Sequence, residues 1–214
     1  MQTTLDRPWT HRFEPGRDPE APLLLLHGTG GDEADLLPLG RALSPGSALL
    51  SPRGPVSENG MPRFFRRLAE GVFDEADVRQ RAEELAVFIA EARERYALAA
   101  PIAIGFSNGA NIAAAVLLAR PEALAGAALI RAMVPLSARQ AEEERQQLAG
   151  KPVLLLSGAA DPIVPAGNAA ALARRLAAAG AAVEQETLPV GHGLTQADVA
   201  LAQAWLRRIG KPSA

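Results

Sequence analysis

The residues best suited to chemistry surround a serine, Gly105-Phe106-Ser107-Asn108-Gly109. A G-x-S-x-G pattern acquires meaning when a strand precedes it and a helix follows it. Here the apolar run Pro101–Ile104 leads in, and Asn111–Leu118 leads out with helical character. On such a turn the serine backbone is strained and its hydroxyl projects from the edge of a sheet. Glycines two residues to either side remove side chains that would strike the neighbouring strand and helix. The Asn108 N–H and the helix N-terminus then lie where negative charge develops on a carbonyl under attack. Ser107 reads as a nucleophile.

A serine hydroxyl attacks only when a base takes its proton. The chain has three histidines, His11, His27 and His192. His192 lies in Pro189–Leu194, a loop between the last strand-like run and the last helix. That loop opens at the carboxyl edge of the sheet, where open α/β folds bind ligands. A carboxylate is needed to orient the imidazole. Asp161 directly follows the apolar run Val153–Gly158, and Pro162 holds it extended and out of the next helix. Asp198 and Glu186 are rivals by type, but they fall within a helix and a strand. The order Ser…Asp…His belongs to this kind of site.

Stabilising an oxyanion takes a second backbone donor besides Asn108. Leu26-His27-Gly28-Thr29-Gly30-Gly31 follows an early strand, and its glycines let the main chain approach a substrate. The N–H of Thr29 is assigned, with Gly30 as the neighbouring alternative. His27 suits a structural role, holding this turn by a hydrogen bond, and Asp32 suits a cap for the next helix.

These residues need a scaffold. Buried strands are expected at Leu23–Leu26, Ala48–Ser51, Ile102–Phe106, Ala127–Ile130 and Val153–Ser157, with outer strands at Trp9–Phe13 and Ala182–Leu188. Helices are expected at Glu33–Leu43, Glu75–Tyr96, Asn108–Arg120, Ala138–Ala149, Ala166–Ala179 and Thr195–Ile209. Val78, Ala82, Leu85, Ala86 and Ile89 make one apolar stripe on the second of these. The alternation implies an α/β fold with a mostly parallel sheet of about seven strands covered on both faces. Pro52–Asp74, with Pro52, Pro55 and Pro62, interrupts it and reads as a long ordered loop roofing the site. Too little chain separates Ile130 from Val153 for a large cap. The 214 residues read as a single domain, 1–214, ending in a short frayed tail at Gly210–Ala214.

Composition narrows the function classes. With no cysteine, disulfides, thiolate metal sites and a cysteine nucleophile are excluded. The histidines lack metal-ligand spacing, so neither metal nor cofactor is expected. A net charge of −2 with interspersed signs offers no footprint for nucleic acid or an anionic membrane. Met1–Pro8 has no apolar signal and the longest apolar runs are strand-length, so a cytoplasmic location is expected.

The sequence His27-Gly28-Thr29-Gly30-Gly31-Asp32-Glu33, with GFSNGA at 105–110, DPIVP at 161–165 and GHGLT at 191–195, resembles the phospholipase/carboxylesterase branch of the α/β-hydrolases. The likeness runs from about Trp9 to Ile209 and extends to small bacterial carboxylesterases, acyl-protein thioesterases and dienelactone hydrolases. Dienelactone hydrolases usually carry a cysteine nucleophile, so Ser107 argues against that activity. The resemblance implies hydrolysis of carboxylic esters or thioesters without a cofactor, often by a homodimer.

The expected activity is therefore a serine carboxylesterase acting on a small ester. A thioesterase or lysophospholipase is the alternative enzyme, and a non-catalytic ligand-binding member the alternative class. Met61, Phe64, Phe65, Met133 and Val164 are the candidate substrate-binding walls. Arg66 and Arg131 suit structural roles better than recognition of an acidic substrate.

Overall fold

The computed structural model describes residues 9–17, 21–137 and 147–210. The strands are β1 (His11–Glu14), β2 (Leu23–Leu26), β3 (Leu49–Pro52), β4 (Val56–Glu58), β5 (Met61–Arg63), β6 (Arg67–Ala69), β7 (Val72–Phe73), β8 (Ile102–Phe106), β9 (Gly126–Ile130), β10 (Pro152–Gly158) and β11 (Ala182–Leu188). The helices are α1 (Leu37–Leu43), α2 (Glu75–Tyr96), α3 (Asn108–Ala119), α4 (Asn168–Ala178) and α5 (Gln196–Ile209).

Seven strands form one sheet in the order β1-β3-β2-β8-β9-β10-β11, and only β1 runs antiparallel to its neighbour. The inner strands are apolar at nearly every position because both of their faces are covered. On one face α2, α3 and α4 pack over Leu24, Leu26, Leu129 and Leu155. On the other, α1 and α5 pack over Leu23, Leu25, Ile104 and Leu156, with Trp205 fully buried among them. The edge strand β11 carries Glu184, Gln185 and Glu186 toward solvent, which guards an unpaired edge against adding another chain. This is the α/β-hydrolase architecture that the motifs imply, with no large cap among the described residues.

The chain leaves β2 for β3 on one side, whereas β8 lies on the other. That switch opens a crevice at the carboxyl ends of β2 and β8, the place where open α/β sheets bind ligands. The Thr29 loop leaves β2 there, and Ser107 leaves β8 beside it.

Most elements lie where the periodicity places them, and α2 and β11 match to the residue. Several expectations are corrected. Helix α1 starts at Leu37 instead of Glu33, because residues 33–36 form turns and Pro38 occupies the first helical turn that proline favours. Asp32 consequently bonds the Ala34 N–H at 2.8 Å within a turn and does not cap the helix. The Pro52–Asp74 segment is not a long loop: it folds as two hairpins, β4–β5 and β6–β7. Asn59 and Gly60 both take positive φ, 52° and 81°, as the tight turn of a twisted hairpin requires. Of the helix expected over Ala138–Ala149, residues 138–146 lie outside the described residues and 147–150 form a turn. Residues 211–214 also lie outside them.

Candidate active site

Ser107 sits between β8 and α3 at φ 52° and ψ −113°. Positive φ is uncommon for a residue with a side chain and stores strain that the surroundings must hold. Here the Ser107 N–H donates to the Ile130 carbonyl at 2.9 Å, and the Ser107 carbonyl accepts from Asn111 N–H at 3.0 Å. The flanking glycines make the turn possible. A Cβ on Gly105 would fall 2.6 Å from the Ala110 Cα, and one on Gly109 only 2.0 Å from the Leu26 carbonyl oxygen.

The three distant side chains meet at this edge. His192 Nε2 is 2.9 Å from Ser107 Oγ, and His192 Nδ1 is 2.8 Å from Asp161 Oδ2. The geometry selects the tautomer in which Nδ1–H donates to the carboxylate and Nε2 accepts from the hydroxyl. Asp161 Oδ1 accepts from the N–H groups of Ile163 at 2.8 Å and Val164 at 3.1 Å. Burial alone would raise the Asp161 pKa, but these amides and the His192 imidazole outweigh it and hold the carboxyl below its usual range. The loops are also tied through the backbone. Arg131 N–H donates to Leu156 at 2.8 Å, and Ala160 N–H to Val190 at 3.0 Å. Glu186 points away on the exposed edge strand, and Asp198 is engaged elsewhere.

Both assigned oxyanion donors border the same crevice. Asn108 is the first residue of α3, so its N–H is among those a helix start leaves unpaired. Gly30 N–H is committed to the Pro62 carbonyl at 3.0 Å, which leaves the Thr29 N–H as the candidate oxyanion donor on this loop. The first hairpin and its exit hold both residues. Thr29 Oγ1 accepts from Arg63 Nη1 at 2.7 Å, and Asn108 Oδ1 accepts from Phe64 N–H at 2.7 Å.

Ser107, His192, Thr29 and Asn108 line a cavity of about 230 Å³. Phe73, Phe106, Met133 and Ile163 form its apolar walls, and Arg63, Arg67 and Glu70 add charge. Of the five expected wall residues only Met133 is there. Phe64 and Phe65 are fully buried. Phe64 stacks on Trp9 with ring centres 6.3 Å apart, and Phe65 meets Phe73 edge-on at 5.0 Å. They pin the two hairpins to the core. Met61 is exposed beyond the Thr29 loop, its Sδ 3.7 Å from where a Gly30 Cβ would be. The neighbouring Ile163 takes the wall position expected of Val164. Among the described residues no three His, Asp or Glu side chains gather as a metal-binding group, and no helix is long and apolar enough to cross a membrane.

The sequence profile of the phospholipase/carboxylesterase family matches residues 11–209. The chain belongs to that family. MhqD of Bacillus subtilis (strain 168), a protein with a hydrolase assignment, is 45% identical over 199 residues, covering 92% of this chain and 97% of MhqD. The crystal structure of the Bacillus cereus carboxylesterase superposes with a TM-score of 0.90 at 44% identity over 95% of each chain. The structure of YahD with malic acid gives a TM-score of 0.87 at 32% identity, covering 95% of this chain and all of that one (100%).

Two residues of this phospholipase/carboxylesterase-family hydrolase support the site without touching the cavity. His27 is buried, with Nδ1–H donating to the Gly28 carbonyl at 2.7 Å and Nε2 accepting from Gly54 N–H at 2.9 Å. Both ring nitrogens are used by the neutral form, which fastens the Thr29 loop to the segment after β3. Burial lowers the His27 pKa, against the opposing pull of the Gly28 carbonyl, Asp35 and Asp32. The unfolded chain therefore binds this proton more readily. Stability contributed by neutral His27 is complete above about pH 6.5 and is lost as pH falls below it. Thermal melts from pH 8 to 5 should show a decline that His27→Gln flattens, with a slope of at most about 1.4 kcal/mol per pH unit. Identical slopes in the two proteins would remove His27 as the cause.

Arg131 does not line the cavity. It is buried at φ 57°, and its guanidinium grips Asp198 through two contacts of 2.9 Å. The same group donates to the carbonyls of Gly191 at 3.0 Å, Gly193 at 3.3 Å and Leu156 at 3.2 Å. Asp198 also accepts from Thr195 N–H at 2.9 Å, in the box that caps α5. The loop is thus anchored on both sides of His192. Thr195-x-x-Asp198 was readable as a capping box, but its partnership with Arg131 spans 67 residues and left no local signal. Arg66 is exposed and pairs with Asp74 at 3.0 Å and Asp77 at 3.6 Å. It is a surface residue of the second hairpin.

Proposed function

We propose that this hydrolase is a serine carboxylesterase that cleaves small or short-acyl esters through an acyl-enzyme intermediate. The observation that carries the reading is His192 bridging Ser107 and Asp161 at hydrogen-bond distance on both sides. His192 takes the Ser107 proton as Oγ attacks the ester carbonyl. The N–H groups of Thr29 and Asn108 receive the oxyanion, and His192 then gives its proton to the departing alcohol. Water activated by the same histidine releases the acid. Asp161 remains ionised and keeps the imidazole in the working tautomer.

The cavity supports a small substrate. Its volume, about 230 Å³, lies below the roughly 300–1,000 Å³ of sites that enclose larger ligands. The YahD structure with malic acid, a short acid, supports the same scale. A p-nitrophenyl ester series should peak at acetyl to butyryl and fall by roughly tenfold or more at palmitoyl, because a misfit of even one methylene in an apolar pocket costs about 1–3 kcal/mol. A fluorophosphonate probe should label Ser107, as read by peptide mass spectrometry. A palmitoyl maximum would overturn the short-acyl assignment, faster cleavage of matched thioesters would make the protein a thioesterase, and absence of labelling would remove Ser107 as nucleophile.

A further inference from the structure

The ester chemistry makes no use of the charge that Arg63 brings to the cavity. Arg63, the last residue of β5, is 3% exposed yet lines the cavity beside Ser107. Its Nε donates to the Phe65 carbonyl at 3.2 Å and its Nη1 to Thr29 Oγ1 at 2.7 Å. Among the described residues its Nη2 has no protein acceptor. Arg67 borders the same cavity. One carboxylate serves both cations: Glu58 lies 3.1 Å from Arg63 Nε and 2.9 Å from Arg67 Nε. Glu70, at the exposed turn of the second hairpin, is the other charge on the rim.

Burying a guanidinium is unfavourable unless its donors are matched by acceptors. Thr29 Oγ1 and a backbone carbonyl are neutral acceptors, and Glu58 is divided between two arginines. A charged partner is therefore missing on the cavity side. A second donor faces the same space. Asn111 lines the cavity, and with its Oδ1 taken by Met133 N–H at 2.7 Å, its amide hydrogens remain for a ligand. A flat fork of N–H donors beside an amide matches a carboxylate.

We propose that the cavity binds a carboxylate on the substrate, so that the preferred esters are half-esters of short dicarboxylic acids, with Arg63 as the anchor and Arg67 reinforcing its field. This rests on the serine esterase reading. The spacing must be short, because Arg63 is a single hydrogen bond from Thr29, whose N–H is assigned to the oxyanion. A purely supporting role for Arg63, holding the Thr29 loop, predicts something different: its loss slows every ester by the same factor.

The test is the ratio of kcat/KM for monomethyl succinate to that for methyl pentanoate, a neutral ester of similar length. In the native protein this ratio should be about tenfold or more, the range expected of one charge-assisted hydrogen-bonded contact. Arg63→Gln should bring it close to one whatever happens to the absolute rates, and Arg63→Lys should keep part of it. Glu58→Gln, which frees both arginines from their shared carboxylate, should raise it. A native ratio near one, or a ratio unchanged in Arg63→Gln, overturns the anchor while leaving the esterase reading intact. Calorimetric titration of Ser107→Ala with succinate reads the site without catalysis. Saturable binding that weakens at least about tenfold on adding Arg63→Gln supports the anchor even if no ester is turned over. Absence of binding counts against it.

Discussion

Replacing Ser107 with alanine is expected to lower kcat toward p-nitrophenyl acetate by about 10⁶-fold with little change in KM, because the group removed forms its bond only beyond the ground state. His192→Ala should cost nearly as much, and the double variant little more than either alone. A nucleophile without its base and a base without its nucleophile are equally idle. Asp161→Asn should lose about 10⁴-fold, since an amide facing Nδ1 favours the wrong tautomer and offers no charge to the imidazolium. Some rate above water should survive in all three, supplied by the amides of Thr29 and Asn108. Stopped assays on purified variants, with melting temperatures confirming the fold, check these figures. Losses that add in the double variant, or an Asp161→Asn protein of near-native rate, would show that the residues do not work as one unit.

The second large effect concerns stability. Arg131 and Asp198 are wholly buried, and both terminal guanidinium nitrogens of Arg131 grip the Asp198 carboxylate. Asp198→Ala leaves a cation in the interior with only carbonyls for company. Removing one member of a buried pair typically costs about 3–5 kcal/mol. For a chain of this size that corresponds to a fall in Tm of roughly 6–20 °C. Activity should fall too, mainly in kcat, because the carbonyls of Gly191 and Gly193 are held by the same guanidinium and flank the imidazole. Pairing Arg131→Met with Asp198→Leu should be milder than the sum of the single changes, since no charge is then stranded. A Tm within about 2 °C of native for Asp198→Ala would show that the pair contributes no such stability.

Legibility in the sequence followed the range of the interactions. The glycines at 105 and 109 announced a crowded turn, and a Cβ at either would indeed strike backbone. Apolar strand-length runs marked the sheet because strands buried on both faces have no polar alternation to confuse the pattern. The β4–β5 hairpin was also announced, by Asn59-Gly60, but three prolines nearby suit an irregular loop equally well. Phe64 and Phe65 illustrate the limit. An aromatic pair in an irregular segment has no periodicity to say which way it points, and both rings turned into the core while Arg63 turned toward the cavity.

By itself the sequence determined the residue types, their order and the local turns that expose them. A serine on a strand-to-helix elbow, an acid after one strand and an imidazole after another are each written in a few adjacent positions. Only the tertiary structure decided which donors remain free and what anchors the catalytic loops. Gly30 spends its N–H on Pro62, and Arg131 reaches across to Asp198 and both glycines around His192. Such pairings join segments far apart along the chain, and their energies depend on burial that exists only once the sheet and its helices have closed around them.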